Sequence, residues 1–196
     1  LGKEAELGLA GELSFLGILL DAGLKADEMI RAWVGPDDEP QDFLIGKGAI
    51  EVKATLSADS MRVRIGSLEQ LDDSQFSPLF LTLIRFADDE RGLTLPGLVA
   101  DIAARLKNDQ HILTLFRERI FTAGYHDSHD SQYTCRFFRE DTRIYTVVTG
   151  FPRLITGLTT DGIMRAIYEI DLGHASTFET SLAMALNKTG VINNDA

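Results

Sequence analysis

A chain of 196 residues, 44% hydrophobic and 25% charged, has the makeup of an ordinary globular protein with one sizeable core. Its formal charge of −11 argues against a protein that coats nucleic acid by itself, because that affinity comes mainly from Lys and Arg displacing counterions at phosphates. The single cysteine, Cys135, excludes an internal disulfide, and apolar runs such as Leu79 to Ile84 are far short of the ~20 residues that cross a bilayer.

The chain therefore reads as cytoplasmic, and its start at Leu1, without a Met, suggests a trimmed chain or a piece of a longer protein. Leu9, Leu13, Leu16 and Leu20 recur at helical spacing within residues 4–20, with Gly23 as a stop. A shorter helix is predicted from Ala26 to Trp33 and ends at Gly35-Pro36. After the acidic stretch from Asp37 to Gln41, the strand DFLI, the turn Gly46-Lys47-Gly48 and the strand IEVKAT make a hairpin. MRVRI at 61–65 is a third strand, Ser67 caps a helix over LEQL, and LFLTLIRF after Pro78 has the composition of a buried central strand. Thr94 caps a further helix with Pro96 in its first turn, and another helix runs through about Phe121 to Gly124. YTCRFF, RIYTVV and IMRAIYEIDL read as the last strands. The pattern divides into a core at 1–90 and a helical and β extension at 91–196 packed on it.

In IEVKAT, Ile50 and Val52 alternate with Glu51 and Lys53, so one face is apolar and the other carries a charge pair. An edge-strand ion pair facing water is one reading, and such a pair is worth little. The other begins from Asp42, which heads the neighbouring strand and can bring its carboxylate beside that of Glu51. Two carboxylates held together are costly unless a cation lies between them, and Mg²⁺ takes such hard oxygens while leaving room for water and phosphate. Asp42, Glu51 and the Val52 carbonyl would then hold the ion, with Lys53 beside the reacting phosphate. Residues 1–60 carry twelve Asp or Glu against five Lys or Arg, which suits a cation better than an unaided polyanion.

The arrangement Asp42, Glu51, Lys53 on a hairpin after a helix resembles the PD-(D/E)XK nucleases of the restriction-endonuclease-like fold. It is most similar to a group of PD-(D/E)XK family members from bacterial restriction and phage-defence gene neighbourhoods. The likeness runs through GELSFL at 11–16, AWVGP at 32–36, QDF at 41–43, AIEVKAT at 49–55, LEQLD at 68–72, AGY at 123–125 and FPRL at 151–154. It implies an α/β (α+β) fold with a mixed central sheet flanked by helices in the order αβββαβ, followed by a C-terminal mixed extension. It also implies Asp42 and Glu51 as ligands of Mg²⁺ or Mn²⁺ and Lys53 as the catalytic lysine. Glu12 matches a first-helix glutamate that assists the metal, and Gln70 a glutamine found beyond the E-x-K strand. A solvated helix position for Glu12 and a plain polar residue for Gln70 are the competing readings. Asp37 or Asp38, in the literal Pro-Asp dipeptide, competes with Asp42, but only Asp42 is anchored by an adjoining strand.

Elsewhere, His126, Asp127, His129 and Asp130 could ligate a metal, though polar residues are the default between a helix and a strand. Arg62 and Arg64 share one strand face and could touch phosphate, with a solvated strand edge as the equal alternative. Two functions follow. One is a metal-dependent endodeoxyribonuclease acting on DNA, natural as a homodimer and assisted by other restriction or defence proteins. The other is a PD-(D/E)XK-fold interaction module without activity.

Overall fold

The computed structural model describes residues 1–37 and 39–192. Helix α1 (Lys3–Asp21) buries Leu9, Leu13 and Leu16 as expected from their spacing, with Leu19 fully buried and Leu20 only half-buried, and the chain leaves it through Gly23 at φ +83°. Helix α2 (Ala26–Ala32) follows and delivers Trp33 to the core. The hairpin β1 (Phe43–Ile45) and β2 (Gly48–Thr55) turns at Gly46, φ +58°, and pairs Phe43 with Ile50. Strand β4 (Leu79–Leu93) lies parallel to β2 and antiparallel to β5 (Phe137–Val147), which pairs in turn with β7 (Glu179–Thr180). The result is a five-stranded mixed sheet in the order β1-β2-β4-β5-β7.

Helices α1, α2, α3 (Leu95–Arg105), α4 (Gln110–Thr122) and α5 (Leu182–Thr189) bury their apolar sides on one face of this sheet, around Phe15, Trp33, Ile50, Phe80 and Phe116. The opposite face, with Ala49, Leu81 and Tyr145, is covered by a two-stranded antiparallel sheet of β3 (Arg62–Ile65) and β6 (Tyr168–Asp171). Strand alternation thus points Ile50, Val52 and Ala54 at the helices and Ala49, Glu51 and Lys53 at the small sheet. The fold is the mixed α/β arrangement the sequence implied, with the apolar LFLTLIRF segment at the centre of the main sheet.

Four local expectations are corrected. The helix capped by Ser67 does not form: residues 68–71 make bends and a turn, because Gln41 Nε2 donates to the Glu69 carbonyl at 2.8 Å and Arg153 to the Leu71 carbonyl at 2.7 Å, and side chains from distant segments fix the backbone instead. The third strand leaves the main sheet for β6, so the αβββαβ order is interrupted there. YTCRFF and RIYTVV are not two strands but one, β5, which starts only at Phe137, and the last strand shrinks to Tyr168–Asp171. The division at 90/91 falls inside β4, and the helix-side core joins Leu13 and Phe43 to Phe116, Ile144 and Leu186. Among the described residues, no helix is long and apolar enough to cross a membrane.

Candidate active site

Strand β2 outruns its partner β1, whose pairing ends at Phe43 with Ile50. Beyond that point the edge of β2 is met by a side chain: Val52 N–H donates to Asp42 Oδ2 at 2.7 Å. Ala49 N–H donates the other way, to the Pro78 carbonyl that leads into β4. Because N–H and C=O of one strand residue point to the same side, the Val52 carbonyl faces the same open edge as Asp42.

Glu51 and Lys53 approach this edge from the small-sheet face. They are not a solvated pair: the Glu51 side chain is 1% exposed and that of Lys53 19%, with Lys53 Nζ 2.6 Å from Glu51 Oε1. The Lys53 ammonium also donates to Gln70 Oε1 at 3.2 Å, and the same oxygen accepts Gly66 N–H at 2.8 Å, which fixes the glutamine in place. Glu12 arrives from the helix face. Helix α1 lies so close to β2 that a Cβ on Gly11 would sit 2.8 Å from that of Ala54, and this approach sets the next residue, Glu12, over the strand edge. Trp33 Nε1 donates to Glu12 Oε2 at 2.7 Å. At Gly35 a Cβ would stand 2.8 Å from Glu12 Oε2 and 2.9 Å from Asp42 Oδ1, so the absent side chain is what lets both carboxylates share this corner.

Glu12, Asp42, Glu51, Val52, Lys53 and Gln70 all line one cleft of about 680 Å³, which Arg62, Arg64 and Arg165 line as well. Burial, then repulsion from Asp42, raises Glu51 well above the usual carboxylate range, although Lys53 opposes both. Burial and the Asp42 charge push Glu12 up to about 8 against the Trp33 hydrogen bond. Burial raises Asp42 to about 6, with the Val52 N–H and Lys53 pulling the other way. For Lys53, burial lowers the pKa, but the Glu51, Asp42 and Glu12 carboxylates outweigh it and the ammonium is stabilised.

One ammonium therefore faces three carboxylates whose ionisation the protein resists. That donor set fits a hard divalent cation, which would balance the two uncompensated charges, and Glu51 Oε2, buried without a hydrogen-bond partner, is an oxygen such an ion would satisfy. In the arrangement seen, each carboxylate is turned to a protein partner, and no three acidic, His or Cys side chains among the described residues are grouped tightly enough to hold an ion as they stand. Binding would require these side chains to turn inward.

The competing candidates lie elsewhere. Asp37 is engaged by Arg119 at 2.7 Å, and Asp38 lies outside the described residues. The 126–130 tract forms a 3₁₀ turn on a separate cavity of about 530 Å³, where Asp130 accepts from the Tyr125 hydroxyl at 2.7 Å. Sequence reasoning missed Trp33, Gly35 and Arg165. The AWVGP segment carried the first two in plain view, but nothing local tied an indole and a glycine to carboxylates from two other elements.

The model of a family described as "Putative PD-(D/E)XK family member" matches residues 1–173. No curated protein and no solved structure matches the chain.

Proposed function

The chain belongs to the family described as "Putative PD-(D/E)XK family member", and we propose that it is a nuclease dependent on Mg²⁺ or Mn²⁺ that hydrolyses phosphodiester bonds in DNA as part of a bacterial restriction or phage-defence system. The observation that carries this reading is the convergence of Lys53 with Glu12, Asp42 and Glu51 on one open cleft. The defence setting rests on the ordered sequence segments that resemble such proteins.

Asp42, Glu51 and the Val52 carbonyl would hold the ion, with Glu12 beside them. When bound, the cation supplies Lewis acidity at the phosphate and lowers the pKa of the attacking water. Lys53, held between Glu51 and Gln70, places a positive charge where a phosphate entering the cleft gains negative charge, and the low-dielectric floor strengthens that interaction. Gln70 keeps the amine aimed by occupying one of its donors. In the cation-free protein Glu12, raised to about 8, holds a proton near neutral pH, which a cation bound beside it would displace. Ile50, Val52 and Ala54, packed under α1, close the site from behind.

The test is cleavage of end-labelled DNA, single-stranded and duplex, at low salt. Cutting is expected with Mg²⁺ or Mn²⁺, and binding without cutting with Ca²⁺, a larger and looser ion. Asp42→Asn should abolish cutting. Absence of cleavage with every ion, with other defence components present, would replace this reading with the interaction module.

A further inference from the structure

A wall formed by β3 and the 155–167 segment lines the same cleft with Arg62, Arg64 and Arg165, and the acids Glu4 and Glu169 line it too. On β3 the exposed positions are Arg62 and Arg64, alternating with buried Val63 and Ile65. Their cross-strand neighbours on β6 are acids, Asp171 and Glu169, yet among the described residues neither arginine forms an ion pair with its neighbour. Arg64 has only a 3.6 Å contact with Glu4, and Arg62 and Arg165 have no carboxylate partner among the described residues. Next to them, residues 155–167 form a loop closed at its base, where the Tyr168 hydroxyl donates to the Leu154 carbonyl at 3.1 Å and accepts Leu154 N–H at 3.0 Å. That loop offers apolar side chains to solvent: Met164 is 88% exposed, Ile167 50% and Ile163 43%, and Arg165 sits among them.

Resting on the nuclease reading, we propose that this wall selects an unpaired DNA strand, with phosphates on Arg62, Arg64 and Arg165 and base faces on Met164 and Ile167. A duplex would use the arginines but hide its base faces, leaving the apolar loop against water. It would also hold its phosphates at the rim, whereas Glu51 and Lys53 lie on the floor. An unpaired strand can bend a phosphate down to the floor while its bases lie along the loop.

The test is fluorescence anisotropy of a labelled 20-mer of thymidine, alone and paired with its adenosine complement, in Ca²⁺ so that binding is read without cutting. The single strand should bind about tenfold or more tightly than the duplex. Arg62→Ala and Arg165→Ala should each weaken binding and lower the salt slope by about 0.7. Ile167→Ser should narrow the gap between single strand and duplex. Equal or tighter binding of the duplex, unchanged affinity and salt slope in both arginine variants, or no binding of the single strand would each overturn the proposal. The nuclease reading fails separately: a single-strand preference without cutting in Mg²⁺ leaves this inference standing, and cutting of duplex alone removes it while sparing the nuclease.

Discussion

Two acidic regions of this chain hold residues able to bind metals, and the fold treats them in opposite ways. Around 126–130, Asp127, His129 and Asp130 are exposed, His126 stacks edge-on against Phe121 and His129, and Asp130 is satisfied by a tyrosine hydroxyl. At the β2 edge, Glu12, Asp42 and Glu51 are brought from three separate elements into one corner with a single ammonium between them. The first region spends its ligands on ordinary turn contacts. The second keeps charges the fold must work against, and an arrangement that costs stability without a ligand points to a ligand.

The contrast is sharpest in catalysis. Lys53→Met should lower cleavage in Mg²⁺ by about 100- to 1000-fold, the loss typical when one preorganised charge is removed, while the cation still stabilises the protein in thermal melts. Asp42→Asn should do the reverse at the level of binding: the cation-free protein stays folded, because the amide oxygen can still accept Val52 N–H, but the gain of about 2.7 kcal/mol expected at a hundredfold excess of Mn²⁺ over Kd disappears. Gly35→Ala puts a methyl against both Glu12 and Asp42 and should cost about 1–3 kcal/mol by chemical denaturation, with weaker Mn²⁺ binding.

A pH series separates the two regions next. Glu12 and Asp42 have folded-state pKa values above those of the unfolded chain, so the folded protein takes up protons that the unfolded chain releases. The stability they contribute is full below about pH 4 and is lost as pH rises through about 6 and about 8. The cation-free protein should therefore melt higher near pH 5 than near pH 8.5, and Glu12→Gln should flatten the upper part of that slope. Asp89, held down at about 2 by Arg91, acts oppositely but only in stronger acid. Smallest of all, His129→Ala should shift neither stability nor the Mn²⁺ response by more than about 0.5 kcal/mol. A lost Mn²⁺ response in that variant would move the metal site to the 126–130 turn.

Legibility in the sequence followed the range of the forces involved. Helix α1, the hairpin and the central strand were readable because periodicity, caps and turn glycines are local signals. The 67–71 helix failed because its carbonyls are claimed by Gln41 and Arg153 from far along the chain. For the site, Asp42, Glu51 and Lys53 were legible from alternation in one hairpin, whereas Glu12 and Gln70 came only through resemblance. Trp33 and Gly35 were not legible as site residues, since an indole bond and a missing Cβ acquire meaning only when α1, the 33–37 turn and β2 are packed together.

The central claim is that these three carboxylates together bind one divalent cation. Calorimetric titration of Mn²⁺ into the protein near pH 7, repeated in two buffers of different ionisation enthalpy, counts the protons released as the ion binds. Binding at one site with net proton release, lost in Asp42→Asn and reduced in Glu12→Gln, is the predicted result, because the ion must displace protons that burial and mutual repulsion hold there. Binding without proton release, or binding that persists unchanged in both variants, would contradict it.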